Sequence, residues 1–239
     1  MKIASLPMYD WPEVRGQNDI AWSKLRAAVG HGVDLPQTLT RPDWQDVVTH
    51  WHDPDLVFSQ TCWGPLSLGL IDHVEPLAQP DYSLFPGGHG PMYRSALVAR
   101  EGQSAAVPTG SGASDIAPLI DGRRVAFNSH DSLSGYLCLV QDLGHDGFIA
   151  RSVETGSHRA SVRAVTDGRA DIAAIDCRSW ALALEHEPCA RNLVVVGWTS
   201  QRWGLPYVTS RSTDEKTKQA LRRALINSGC HAVPERREP

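Results

Sequence analysis

Short apolar runs alternate along this chain with stretches in which apolar residues recur at helical spacing. Residues 2–6, 56–60, 123–128, 149–154, 172–175 and 193–198 are apolar and bounded by turn formers, which predicts buried strands. Ile20, Ala21, Leu25, Ala28 and Val29 share a helical face, so a helix is predicted from an N-cap at Asn18 or Asp19 to Val29, closed by Gly30 and Gly32. Arg41-Pro42-Asp43-Trp44 opens a second helix, with Pro42 near its first position. Residues 34–39 read as weakly extended, and Thr61-Cys62-Trp63-Gly64-Pro65 reads as a loop broken by Gly and Pro. Further helices are predicted near residues 115–120, from Tyr136 to Leu143, and over 158–166, 178–184 and 213–228. Strands alternating with helices argue for a parallel sheet covered by helices on its faces.

The alternation occurs in two series. Pro86-Gly87-Gly88-His89-Gly90-Pro91 breaks the chain, residues 93–100 are extended, and the Gly/Ser/Ala-rich residues 103–114 form a loop or linker before the second series starts. After residue 200 only one strand-like piece, residues 204–210, and one helix remain, followed by a charged, frayed tail over 234–239. The economical arrangement is two α/β lobes. Lobe one comprises residues 1–97 plus 199–239, and lobe two comprises residues 98–198. Two crossings make a hinge, and a hinge makes a cleft. Neither a solenoid-period repeat nor a low-complexity tract is present.

Composition narrows the function. The 239 residues carry a formal net charge of -4, which argues against a general nucleic-acid binder. No apolar run is long enough for a transmembrane helix, so no membrane insertion is expected. The N-terminal residues are too soon interrupted by Pro7 and Asp10 to form a signal peptide. The expected compartment is cytoplasmic as the sequence stands, or periplasmic if a leader has been removed. The five cysteines show no CxxC spacing, so they read as buried free thiols, with neither a disulfide framework nor a metal site. The eight tryptophans read mostly as packing, with those in Gly- or Pro-flanked loops able to wall a pocket.

Candidate chemistry concentrates at strand ends, where open α/β sheets bind ligands. The central stretch is Asn128-Ser129-His130-Asp131-Ser132-Leu133-Ser134-Gly135-Tyr136, between a predicted strand and a predicted helix. Such a turn presents free backbone N–H groups and the positive end of the helix dipole to an anion. Ser132 and Ser134 add side-chain donors, and Gly135 lets a ligand approach the backbone. Two other predicted strands end alike, one at Ser157 and His158 and one at Asp176. The alternative is that Asp131, Ser132 or Ser134 simply caps the first helix, and Ser157 and Asp176 the other two. Ser134, His158 and Asp176 also make a Ser/His/Asp set on paper. No Walker A, GxGxxG or GxSxG motif accompanies it, and no cofactor is expected.

These residues carry a family resemblance. Arg124-Val125-Ala126-Phe127-Asn128 with Asp131-Ser132-Leu133-Ser134-Gly135-Tyr136 resembles the Ser-x-Ser-Gly turn of the phosphonate/phosphate/phosphite-binding proteins of ABC transporters. The similarity extends through Thr155-Gly156-Ser157-His158, Gly168-Arg169-Ala170-Asp171, Ala173-Ala174-Ile175-Asp176 and residues 204–210. It is weaker at Pro42-Asp43-Trp44, Gln60 to Pro65 and Tyr93-Arg94-Ser95. The resemblance implies the type 2 periplasmic-binding-protein fold, an α/β architecture of two lobes, each a mixed sheet flanked by helices. It also implies a monomeric, non-enzymatic solute-binding protein for a small oxyanion, with an ABC transporter permease as partner. Carried onto this sequence, Ser132, Ser134 and the Gly135 backbone would hold the oxyanion, helped by His158 and Tyr93. Trp44 would be an aromatic wall, and Asp176 would face the ligand's far group, an ammonium in aminoalkylphosphonates. Tyr9 and Trp63 are cleft candidates by position. The middle of the turn is Leu133, where the best-known phosphonate binders have a threonine, so one side-chain donor is absent. Two other readings stand beside this one: a leaderless cytoplasmic enzyme of the same fold acting on a small carboxylate or cofactor precursor, and a ligand sensor.

Overall fold

The computed structural model describes residues 1–102 and 113–234. Most of the linker expected over 103–114, and all but the first residue of the expected tail, lie outside these residues. The first half runs β1 (Ile3–Ala4), α1 (Arg15–Val29), α2 (Val47–Trp51), β2 (Leu56–Gln60), α3 (Trp63–Ser67), β3 (Val74–Ala78), β4 (Met92–Tyr93) and β5 (Ser95–Arg100). The second half runs α4 (Ala113–Ile120), β6 (Val125–Phe127), α5 (Cys138–Leu143), β7 (Val153–Glu154), α6 (His158–Thr166), β8 (Ile172–Asp176), α7 (Cys177–His186), β9 (Leu193–Trp198), β10 (Arg202–Trp203), β11 (Tyr207–Ser210) and α8 (Glu215–Asn227). The chain divides into two compact units, Met1–Asp81 with Trp203–Pro239, and Tyr82–Arg202.

In the first unit the strand order is β1-β2-β11-β3. β1 and β2 are parallel, whereas β11 runs antiparallel to both β2 and β3. The sheet is therefore mixed, and the parallel sheet that simple alternation suggests is broken by the returning strand β11. Its core packs Trp22 and Leu25 of α1 and Leu221 and Leu225 of α8 on Val57, Phe58 and Leu77. Trp22 and Tyr207 both stack on Phe58, at centroid distances of 5.3 and 5.2 Å.

Several local expectations change here. Helix α1 starts at Arg15, so Asn18 is no cap; it is buried inside the helix and donates through Nδ2 to Asp10 Oδ1 at 2.8 Å. Residues 34–39 form no strand. The Trp63-Gly64-Pro65 segment, expected as a loop, begins α3. Pro65 sits in its first turn, where a missing N–H leaves no helical bond unmade.

In the second unit the order is β7-β6-β8-β5-β9. β7, β6 and β8 are mutually parallel, and β5 runs antiparallel to β8 and β9. A division at 97/98 falls inside β5, which pairs along its whole length with strands of this unit. Leu97, Ala99, Ile172, Ala174 and Val196 bury one face of the sheet against Ile116, Ile120 and Leu139. Ala96, Val98, Ala173 and Ile175 are buried too, so these central strands read as continuous apolar runs. Arg202 Nε donates to Gln141 Oε1 at 2.9 Å, and its guanidinium pairs with the buried Asp142.

Asp171 ties three neighbouring strands together. It accepts from Arg124 Nη2 at 2.8 Å and Arg124 N at 2.9 Å ahead of β6, and from Arg100 Nη2 at 3.3 Å at the end of β5. The Arg124 hydrogen bonds hold its carboxyl well below the usual carboxylate range. A depressed native pKa contributes stability that is present above the unfolded value and lost as pH falls through the native one. Asp171→Asn is therefore expected to lower stability at pH 7, with the gap to wild type closing as pH drops below the ordinary carboxylate range; urea unfolding at a series of pH values measures both.

Candidate functional site

Three strands of the second unit end in helix starts. β6 is followed by the Ser-rich turn, which opens as a π-helical turn over Leu133–Leu137 and continues into α5. Leu137 N donates to Ser132 O at 2.9 Å and Gly135 N to Ser132 Oγ at 3.1 Å, so Ser132 is the N-cap. β7 is followed by Ser157, whose Oγ accepts from Ala160 N at 3.1 Å and caps α6. β8 ends in Asp176, whose Oδ1 accepts from Arg178 N at 3.1 Å and Ser179 N at 3.0 Å and caps α7. The capping alternative is thus realised at all three positions. β7, β6 and β8 are adjacent and parallel, so the three caps lie at one edge of the sheet.

His158, the first residue of α6, connects the other two starts. Its Nε2 lies 2.8 Å from Ser134 Oγ and 3.4 Å from Asp176 Oδ2. Ser134 Oγ is 3.4 Å from Ser132 Oγ. Burial pushes the imidazole below its ordinary pKa, outweighing the Asp176 carboxylate that raises it, so the ring is neutral near pH 7. Beneath Ser134, Cys138 donates its thiol hydrogen to Ser134 O at 3.0 Å, and burial pushes that thiol up to about 12.

Gly135 is required here by space. A Cβ on it would stand 1.9 Å from Asn128 Oδ1 and 3.3 Å from Ser132 Oγ. The Asn128 amide, 8% exposed, therefore covers the turn directly. Asn128 belongs to the central stretch, yet its part at the site was not read from the sequence. The glycine in the first turn of a helix was the available signal, since it marks a close approach.

Ser132, Ser134, Gly135, His158 and Asp176 are thus brought together in one unit. Tyr93 is in the same unit, buried on β4 and tilted against Tyr82 at 5.7 Å. Tyr9, Trp44 and Trp63 belong to the other unit. Tyr9 is buried in a 3-10 turn, Pro7–Tyr9, and Trp63 is buried as the first residue of α3. Trp44 is 45% exposed and lines a cavity of about 200 Å³ with Asp10, Arg15 and Arg41. Arg41 there bridges Asp10 and Asp19 at 2.9 and 2.8 Å.

A Ser/His/Asp proton relay needs serine on one imidazole nitrogen and the carboxylate on the other. Here Nε2 faces both, and the buried Nδ1 has no hydrogen-bond partner among the described residues. The geometry is therefore not that of a relay. No group of His, Cys, Asp and Glu able to hold a metal is found among the described residues, and no described helix is long and apolar enough to cross a membrane.

Comparison with known proteins gives a consistent frame. A model of the periplasmic phosphonate substrate-binding proteins of ABC transporters matches residues 67–236. No curated protein sequence matches significantly. Among solved structures, PhnD1 from Prochlorococcus marinus in complex with methylphosphonate superposes with a TM-score of 0.69 at 17% identity, covering 95% of this chain and 84% of that one. A binding-protein component of an ABC phosphonate transporter from Pseudomonas aeruginosa gives 0.62 at 16% identity, covering 96% and 80%. The arginine-binding protein of Thermotoga maritima, as its arginine-bound Gly52Ala mutant, gives 0.58 at 13% identity over 95% of both chains. At these identities the likeness shows the fold, that of type 2 periplasmic binding proteins.

Gly135→Ala is expected to destabilise the protein by about 1–3 kcal/mol, because its methyl would overlap the Asn128 amide. Asn128→Ala in the same chain is expected to recover most of that loss. Denaturant unfolding of the single and double variants checks the coupling.

Proposed function

The chain belongs to the family of periplasmic phosphonate substrate-binding proteins of ABC transporters, whose model matches residues 67–236, and from this premise we propose that it binds a small phosphorus oxyanion at the turn after β6. The carrying observation is the convergence of the Ser132 and Ser134 hydroxyls, 3.4 Å apart, at the start of that helix, where the Gly135, Tyr136 and Leu137 amides are already taken up by Ser132 and the positive end of the helix dipole remains. A phosphonate or phosphate presents several strong acceptor oxygens, and such a turn presents matching donors with the helix dipole behind them. The methylphosphonate complex of PhnD1 supports the ligand class. On this reading Tyr93 and His158 border the oxyanion. The bound solute is delivered to an ABC transporter permease in the periplasm, and the protein acts as a monomer without chemical turnover.

The donors are neutral, so each is worth about 0.5–1.5 kcal/mol net, and more toward a charged acceptor. Replacing Ser132 and Ser134 together by Ala is expected to weaken binding of methylphosphonate at least about tenfold, the equivalent of about 1.4 kcal/mol. Isothermal titration and thermal shift against methylphosphonate, phosphate, phosphite, sulfate and acetate provide the measurement. Unchanged affinity in the double variant overturns the site, and a response confined to acetate overturns the ligand class.

A further inference from the structure

We propose that Asp176 is a positioning residue that acts through His158 to fix Ser134 as a hydrogen-bond donor to the bound oxyanion, and that it is not a receptor for a ligand ammonium group. The inference rests on the reading of the Ser132–Ser134 turn as the anion site. Both oxygens of Asp176 already have work inside the protein. Oδ1 accepts the Arg178 and Ser179 amides at the start of α7, and Oδ2 stands 3.4 Å from His158 Nε2. The side chain is 2% exposed. A carboxylate held this way is turned toward the protein, with little left to offer an incoming cation.

The consequence runs along the hydrogen bonds. A neutral imidazole carries one proton, on Nδ1 or on Nε2. A bare lone pair on Nε2 would face the Asp176 carboxylate and be repelled by it, so the proton resides on Nε2. That N–H points at Ser134 Oγ, 2.8 Å away. Ser134 is thereby an acceptor from His158, and its own O–H, which has only Ser132 Oγ at 3.4 Å to compete for it, is left to donate to the oxyanion, the stronger acceptor. The neighbouring Ser132 Oγ already accepts from Gly135 N, which leaves its O–H as a donor too. His158 Nδ1, then a bare acceptor, makes no bond to an anion, so the ring acts through its Nε2–H on Ser134. The arrangement selects a fully ionised oxyanion, since every hydrogen presented to it comes from the protein.

Asp176→Asn tests this because asparagine caps a helix as well as aspartate while losing the charge that orients the imidazole. In the ligand-free protein, ¹⁵N-resolved spectra of His158 are expected to show the proton on Nε2, and to show a shift toward Nδ1–H in D176N. A proton on Nδ1 in the wild type overturns the proposal. Calorimetry with methylphosphonate is expected to show a loss of about tenfold or more in D176N and in S134A, and no further loss in S134A/D176N beyond S134A alone, since the two act in series. Losses that multiply overturn it. A D176N variant that loses 2-aminoethylphosphonate while keeping methylphosphonate affinity also overturns it and assigns Asp176 to the ammonium. If no phosphonate or phosphate binds the wild type, the proposed function fails, and the tautomer measurement still decides the Asp176–His158 relation by itself.

Discussion

An α-helix cannot satisfy the amide N–H groups of its own first turn, and after β6, β7 and β8 that constraint recurs on three adjacent parallel strands. Ser132, Ser157 and Asp176 meet it by capping π-turn, α6 and α7. Because the strands are neighbours, the caps are neighbours, and His158 at the start of α6 reaches Ser134 on one side and Asp176 on the other. The residues that make this edge of the sheet foldable are therefore the same residues that make it chemically distinctive. On the proposed reading, a capping role and a binding role are not alternatives here. Each cap uses one acceptor, while a hydroxyl keeps its own hydrogen to give.

That edge was legible in the sequence because every step of it is local. A short apolar strand, a run of small hydroxyl residues and a helix start are contiguous in residues 123–143, and the same grammar repeats at Ser157 and Asp176. What could not be read depended on distant partners. Asn18 resembles an N-cap in isolation, yet its amide is drawn inside α1 by Asp10, which lies before the helix. Strand β3, Val74-Glu75-Pro76-Leu77-Ala78, was not read from the sequence; it tolerates its proline by lying at the edge of its sheet. Helix α3 was missed because Gly64 and Pro65 are breakers in a helix interior, although not in a first turn. The antiparallel course of β11 was equally invisible, since alternation of strand and helix says nothing about the direction of a strand that returns from another unit. The pairing of Ser134, His158 and Asp176 was readable as a set, but its polarity was not. Only the distances show that one nitrogen serves both oxygens.

The ionisation state around Ser134 sets what kind of ligand such a turn suits. Burial keeps His158 neutral and Cys138 a thiol, and no lysine or arginine occurs between Asn128 and Tyr136. The nearest cation along α6, Arg159, is committed with Arg163 to the buried Glu187. On the proposed reading, selection therefore comes from the number and direction of neutral donors in a dry setting, where each counts for more than it does in water. Leu133 adds none, for it is apolar and 1% exposed. The load falls on two hydroxyls and the backbone. A turn with so few side-chain donors depends on each hydroxyl having its hydrogen to spare, and a serine that gave its hydrogen to His158 Nε2 would have to break that bond before donating to an anion. A neighbour that occupies its lone pair removes that cost. On the proposed reading, this is the physical reason for a buried carboxylate and imidazole to stand behind an anion site, where direct electrostatics alone would argue against placing them.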